Sequence, residues 1–156
     1  MADINELQFF RIVDPRGLVF LPRFRHLIEQ IKDINTDRFY DYIINIVMNP
    51  AVWLVLLHDK ENIIKGFLWA NVDILEEQIY IRAFSVDREY QSLNGEIEKK
   101  AVKYLFDLPI DERFKKKIVM STTRAKACEK FGWKRSEKVL MEIENDKPDE
   151  DVPTGQ

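Results

Sequence analysis

The stretch from Phe84 to Phe106, FSVDREYQSLNGEIEKKAVKYLF, constrains the fold more than any other part of the chain. Phe84 and Val86 close an apolar run, and Asp87 to Asn94 is polar. From Gly95 onward Ile97, Ala101, Val102, Tyr104, Leu105 and Phe106 recur at helical spacing. The pattern is a buried strand, a tight polar turn and an amphipathic helix. A turn that delivers the chain to a helix N-terminus outlines an anion site, because the first N–H groups of the helix lack partners and the dipole end there is positive.

The rest of the chain can be read outward from this unit. Leu7 to Val13 is β-favouring, and Asp14-Pro15-Arg16-Gly17 is turn chemistry. Pro22 suits a helix start, and Phe24, Leu27, Ile28 and Ile31 give that helix one apolar face. Thr36 and Asp37 are candidate caps for a second helix carrying Phe39, Ile43, Ile46 and Val47, which Asn49-Pro50 ends. Val52 to Leu57 and Ile63 to Val72 flank the charged turn Asp59 to Asn62 and should pair as a hairpin. A second turn, Leu75 to Gln78, leads to a third strand, Ile79 to Val86. Beyond the central helix come a short strand at Lys117 to Met120, a short helix at Arg124 to Phe131 ended by Gly132, and a last strand at Val139 to Ile143.

This order, β-α-α-β-β-β-α-β-α-β, predicts an α+β (mixed α/β) fold: a twisted, mostly antiparallel sheet with flanking helices. Lys117–Met120 should run parallel to Ile79–Val86, since a helix joins the two. The length of 156 residues suits one domain, expected over residues 1–143, with an acidic, flexible tail over 144–156.

Charge and cysteine content narrow the function. Lys and Arg number 24 against 27 Asp and Glu, a net charge of -3, which argues against nucleic acid as the main partner. The basic clusters Lys99-Lys100 and Lys115-Lys116-Lys117 read as solvated helix ends and loops. Cys128 is the single cysteine, so no intrachain disulfide can form, and a reducing compartment is compatible. MADINELQFF is not a secretory signal, and the longest apolar run, AVWLVLL, is strand-sized. The expectation is a cytoplasmic protein with no membrane partner. His26 points off the apolar stripe of its helix and reads as a surface histidine, and His58 has no partner at a metal spacing, so no metal is expected.

Val86, Gln91, Asn94, Gly95 and Glu96 resemble the central motif of the GNAT family of acetyl-CoA-dependent N-acetyltransferases, V-x-P-x-x-(Q/R)-x-x-G-x-(G/A). Val86 fills the Val position and Gln91 the Gln/Arg position. Arg88 stands for Pro, Asn94 for the first Gly and Glu96 for the Gly/Ala, with Gly95 one residue late. Ser121 to Trp133, STTRAKACEKFGW, is similar to a second motif of the family, N-x-x-A-x-x-L-Y-E-K-L-G-F, matching at Glu129, Lys130 and Gly132. There Ser121 replaces Asn, Arg124 replaces Ala and Cys128 replaces Tyr. NIIKGFLWANV is similar to the family's third strand, with Gly66 after a short aliphatic run.

The resemblance implies acetyl transfer to a primary amine: a small amine, a polyamine, a lysine or a protein N-terminus. It implies acetyl-CoA as co-substrate, with the backbone of Gln91, Ser92, Leu93, Asn94, Gly95 and Glu96 wrapping the pyrophosphate. Phe84, Ser85 and Val86 would bond the pantetheine arm, and Ser121 would stand nearby. The carboxylate that often serves as base falls at Tyr80, with Glu77 and Glu76 nearest, so Glu77 and Tyr80 are the candidate catalytic residues. The plainer role of Glu77 and Glu76 is as two solvated turn residues. Glu96 brings bulk and like charge to the phosphates: at ~5 Å and an effective dielectric of ~20 one repulsion is about 3 kcal/mol. The same departures fit a second reading, a catalytically inactive protein on this fold that binds a protein partner or builds a homodimer or larger assembly. Cys128, short and a weak donor, is expected to be structural.

Overall fold

A computed structural model describes residues 2–14, 16–17, 21–32 and 34–145. Its sheet has the strand order β1-β2-β3-β4-β5, formed by β1 (Gln8–Ile12), β2 (Val52–His58), β3 (Ile64–Asp73), β4 (Gln78–Val86) and β5 (Ile118–Met120). β1 to β4 pair antiparallel, and β5 pairs parallel to β4 as the helical crossover requires. The helices are α1 (Leu21–Glu29), α2 (Thr36–Asp41), α3 (Ile43–Met48), α4 (Asn94–Asp107) and α5 (Ala125–Glu129). The α+β architecture predicted from the sequence is therefore present.

Strand alternation sorts the side chains onto two faces. On one, Leu54, Leu56, Phe67 and Ala83 pack with Phe24, Leu27 and Ile28 of α1, Phe39 of α2 and Ile43 and Val47 of α3. Phe67 is stacked on Phe24 at 5.7 Å between centroids and takes the edge of Phe39 at 5.7 Å. On the other, Trp53, Val55, Leu68, Ala70, Ile79 and Ile81 meet Ala101 and Leu105 of α4. Ile97, Ala101 and Leu105, four residues apart, are the buried stripe of α4. Each fully buried Leu, Ile or Phe is worth about 1.5–3 kcal/mol over its exposed state. These two faces hold the sheet flat side to helix.

Several expectations need correction. The second helix is two, α2 and α3, meeting at Tyr42, and the cap is Asn35, whose Oδ1 accepts from Arg38 N–H at 3.0 Å. Arg88 to Leu93 is a 3-10 helix running straight into α4, not an open polar loop. Lys65 pins it through ion pairs to Glu89 and Asp87. Lys115 is not solvated: its side chain is 4% exposed, and Nζ donates to the Phe106 and Leu108 carbonyls at 2.7 and 2.9 Å. Those are carbonyls at the end of α4, which the helix cannot satisfy itself. Lys100 likewise donates to the Ile4 and Leu7 carbonyls at 3.0 Å each.

The expected strand at Val139–Ile143 is not formed. Val139, Leu140, Met141 and Ile143 are 78–96% exposed and belong to no strand. α5 is shorter than expected, and Gly132 follows it at φ 95, the left-handed conformation of a helix stop. Of the acidic tail only residues 144–145 lie within the described part of the chain; 146–156 lie outside it, as does Pro15 of the first turn.

Candidate functional site

The two strands that should flank a substrate part company early. β5 pairs with β4 only at Ile79↔Ile118, Tyr80↔Val119 and Ile81↔Met120, whereas β4 runs on to Val86. Among the described residues, β4 from Arg82 onward is paired with β3 alone. The register on that side changes at the same point. Trp69 faces Ala83 and Ala70 faces Ile81, so Arg82 is one extra residue in β4. Such a bulge bends its strand and increases local twist, and it falls where β5 ends at Met120, one residue before Arg82 on the β4 side of the ladder. The fork leaves the outer edge of Phe84, Ser85 and Val86 with unused backbone groups, the kind of edge an extended ligand can pair with.

On the α4 side of the fork stands the helix N-terminus. No side chain caps α4, and Asn94 Oδ1 is shut off from solvent without a hydrogen-bond partner. Gly95 lies under the ring of Phe131, since a Cβ there would sit 2.2 Å from a ring carbon. Glycine at 95 is thus required for the α4–Phe131 approach. Glu96 is exposed and Ser92 is exposed. Gln91 reaches away to Gln30 Oε1, donating at 2.9 Å. Glu98, half-buried on the same helix, has its carboxyl pushed up by burial, with Arg124 opposing the shift.

On the opposite face Tyr80 and Ser121 come together, the hydroxyls 3.1 Å apart across the fork. Two residues that the sequence nominated separately thus form one hydrogen-bonded pair. Glu77 is not with them. It sits in the β3–β4 turn at φ 52 with its carboxylate 2.8 Å from Lys116 Nζ, and Glu76 pairs with Lys138 at 2.7 Å. Beside Tyr80 a cleft of about 420 Å³ is lined by Asn71, Asp73, Tyr80 and Arg82 among others. Sequence reasoning missed Asn71, Asp73 and Arg82. The alternation of β3 and β4 could have placed Asn71 and Tyr80 on one face, but the bulge that adds Arg82 to that face has no sequence signal of its own.

Against known proteins the sequence matches no family model and no curated protein. Solved structures do match. The aminoglycoside 6'-N-acetyltransferase AAC(6')-Ih from Acinetobacter baumannii superposes with a TM-score of 0.69 at 10% identity, over 89% of this chain and 98% of that one. AAC(6')-Iy, solved with CoA, gives 0.64 at 10% identity, over 88% and 94%. A GNAT family acetyltransferase from Staphylococcus aureus gives 0.62 at 14% identity, over 88% and 98%. The chain has the GNAT fold. Within that GNAT fold Cys128 is half-buried, with Sγ 3.9 Å from Thr122 Oγ1. Among the described residues no cluster could hold a metal ion, and no helix is long and apolar enough to cross a membrane.

Proposed function

We propose that this protein is an acetyl-CoA-dependent N-acetyltransferase acting on a primary amine. The observation that carries the reading is the fork at Arg82, with an unpaired strand edge on one strand and a hydroxyl pair bridging to the other. AAC(6')-Iy, a protein of the same fold, is solved with CoA. In this chain the edge of Phe84, Ser85 and Val86 would bond an extended pantetheine arm, and the start of α4 around Asn94 would face the phosphates. Asn94 Oδ1, buried and unpartnered, supplies no donor, and the Asn94 N–H is already given to the Gln91 carbonyl, so the phosphates would be met by the N–H groups that follow it. Glu96, exposed, can keep its charge in solvent.

The transfer forms a bond from the amine nitrogen to the thioester carbonyl carbon and breaks the C–S bond. The ammonium nitrogen gives up two protons and keeps one: a base accepts the first as the free amine forms, and the second is balanced by the proton that the departing sulfur gains. Tyr80 and Ser121, at the point where the strands open, are the groups placed to pass a proton toward the departing sulfur. Asp73 lines the cleft beside Tyr80, with Oδ1 accepting from the Glu76 N–H at 3.1 Å, whereas Glu77 is ion-paired with Lys116 outside it, so Asp73 takes the place of Glu77 as the proposed base.

The inactive binding protein remains the second reading, and one observation favours it. Phe131 lies against Gly95, narrowing the approach to the helix start. Calorimetry with acetyl-CoA and CoA, followed by turnover on an amine panel, separates the two. Binding with amine-dependent release of free thiol supports the transferase. Binding of neither nucleotide at high micromolar concentration assigns the fold to a binding role.

A further inference from the structure

We propose that the amine accepted at this cleft also carries a carboxylate, and that Arg82 binds that carboxylate; the amine half of this statement rests on the transferase reading. Arg82 is the bulge residue of β4, exposed at the mouth of the fork. Its guanidinium lies over the rings of Trp69 and Tyr80, 5.7 and 5.6 Å from their centroids. Among the described residues the Arg82 side chain makes no hydrogen bond or ion pair. Arg16, Arg25, Arg113 and Arg135 are each joined to a carboxylate of the chain, and among the described residues Arg38, Arg88 and Arg124 are as free of ion pairs as Arg82; what sets Arg82 apart is its seat between two rings on the wall of the cleft. Two aromatic rings therefore orient a planar fork of N–H donors without using any of them, and that fork matches a carboxylate two bonds at a time.

The rest of the cleft selects the charge of the ligand. Arg82 and Asp73 are the two charged side chains that line it. One cation suits a carboxylate monoanion better than a phosphate dianion, which would leave a charge unmatched. Asp73 suits the ammonium end of the same molecule. Asn71 lines the same wall, but its Oδ1 is shut off from solvent, so the ligand is held by Arg82 and Asp73. The bound species is an amino acid or a short amino carboxylate, with its ammonium toward Asp73 and its carboxylate on Arg82. An acidic chain alone would point to a cationic amine; the cleft points to a zwitterion.

The test reads binding separately from turnover. Glycine, β-alanine and γ-aminobutyrate, which differ only in spacer, are titrated into the full chain beside their carboxamides. The probe is the Trp69 indole N–H resonance, assigned with Trp69→Phe. Turnover with acetyl-CoA is then measured for the same pairs. The expected result is that one amino acid of the series binds at least about tenfold more tightly than its carboxamide. Arg82→Gln should abolish that preference with the melting temperature unchanged, and Arg82→Lys should keep part of it. Equal binding of acid and amide, no binding of either at tens of millimolar, or an unchanged preference in Arg82→Gln overturns the proposal. Carboxylate-selective binding without turnover sinks the transferase reading and leaves this one standing. Turnover of amines without carboxylate preference does the reverse.

Discussion

Tyr80 and Ser121 illustrate how a pair of ordinary residues becomes a candidate reaction centre through position alone. Neither is unusual in the sequence, and their hydroxyls meet only because β4 and β5 run parallel for three residues and then stop. If they pass a proton to the leaving thiolate, Tyr80→Phe should lower kcat/KM by about 100-fold and Ser121→Ala by about tenfold, with substrate binding little changed. The double variant should lose no more than Tyr80→Phe alone, since both act through one hydrogen bond. Steady-state kinetics on all four proteins checks this, and fully additive losses would mean that the two act separately. Glu98 makes a second prediction at this scale. Burial raises its carboxyl above the ordinary value of 4.5, so the folded chain holds a proton there that the unfolded chain releases. Stability therefore falls as pH rises from 4.5 through the raised value. Glu98→Gln should flatten that slope, a difference of about 0.5 kcal/mol or less for a half-buried group. Denaturant midpoints taken between pH 4.5 and 7 measure it. Asp111, held at about 2 by Arg113, acts in the opposite sense: its contribution is lost as pH falls from 3.8 toward 2, below that window.

At the scale of elements, α4 shows where sequence reading succeeds and where it stops. The stripe of Ile97, Ala101 and Leu105 was legible because burial imposes the helical period on composition. The meander was legible for the same kind of reason: β2, β3 and β4 are apolar runs separated by charged turns. The bulge at Arg82 was not legible, because the residue that is doubled on one face depends on pairing across strands and not on local preference. The burial of Lys115 was not legible either. A lysine in a run of three looks solvated until the end of α4, whose carbonyls need a donor, comes to lie beside it. Lys115→Met would leave those carbonyls buried and unpaired, and should cost about 1–3 kcal/mol of unfolding free energy. Lys117→Met, at an exposed site in the same run, should stay within about 0.5 kcal/mol of the parent. Equal effects in urea denaturation would remove the capping role.

The whole molecule carries one feature that its sheet does not explain. Val139, Leu140, Met141 and Ile143 make a short, strand-length apolar run that includes the β-favouring Val139 and Ile143, and the sequence predicts a strand there. In the fold they stand apart from β5, which is three residues long and has no partner on its outer side among the described residues. The core is closed without them: Ile79, Ile81, Ala101 and Leu105 are buried, with Trp133 packed at the margin. Side chains that are 78–96% exposed have almost no apolar area left to lose, so changing them should hardly affect stability. The variant Val139→Ser, Leu140→Ser, Met141→Ser and Ile143→Ser should therefore melt within about 3 °C of the parent, the shift expected for less than about 1 kcal/mol in a chain of this size. Its far-ultraviolet circular dichroism should show no loss of strand signal. A fall of ten degrees or more, with lost strand signal, would show instead that these residues form a sixth strand against β5 in solution. The apolar run from Val139 to Met141 would then cover the outer edge of β5.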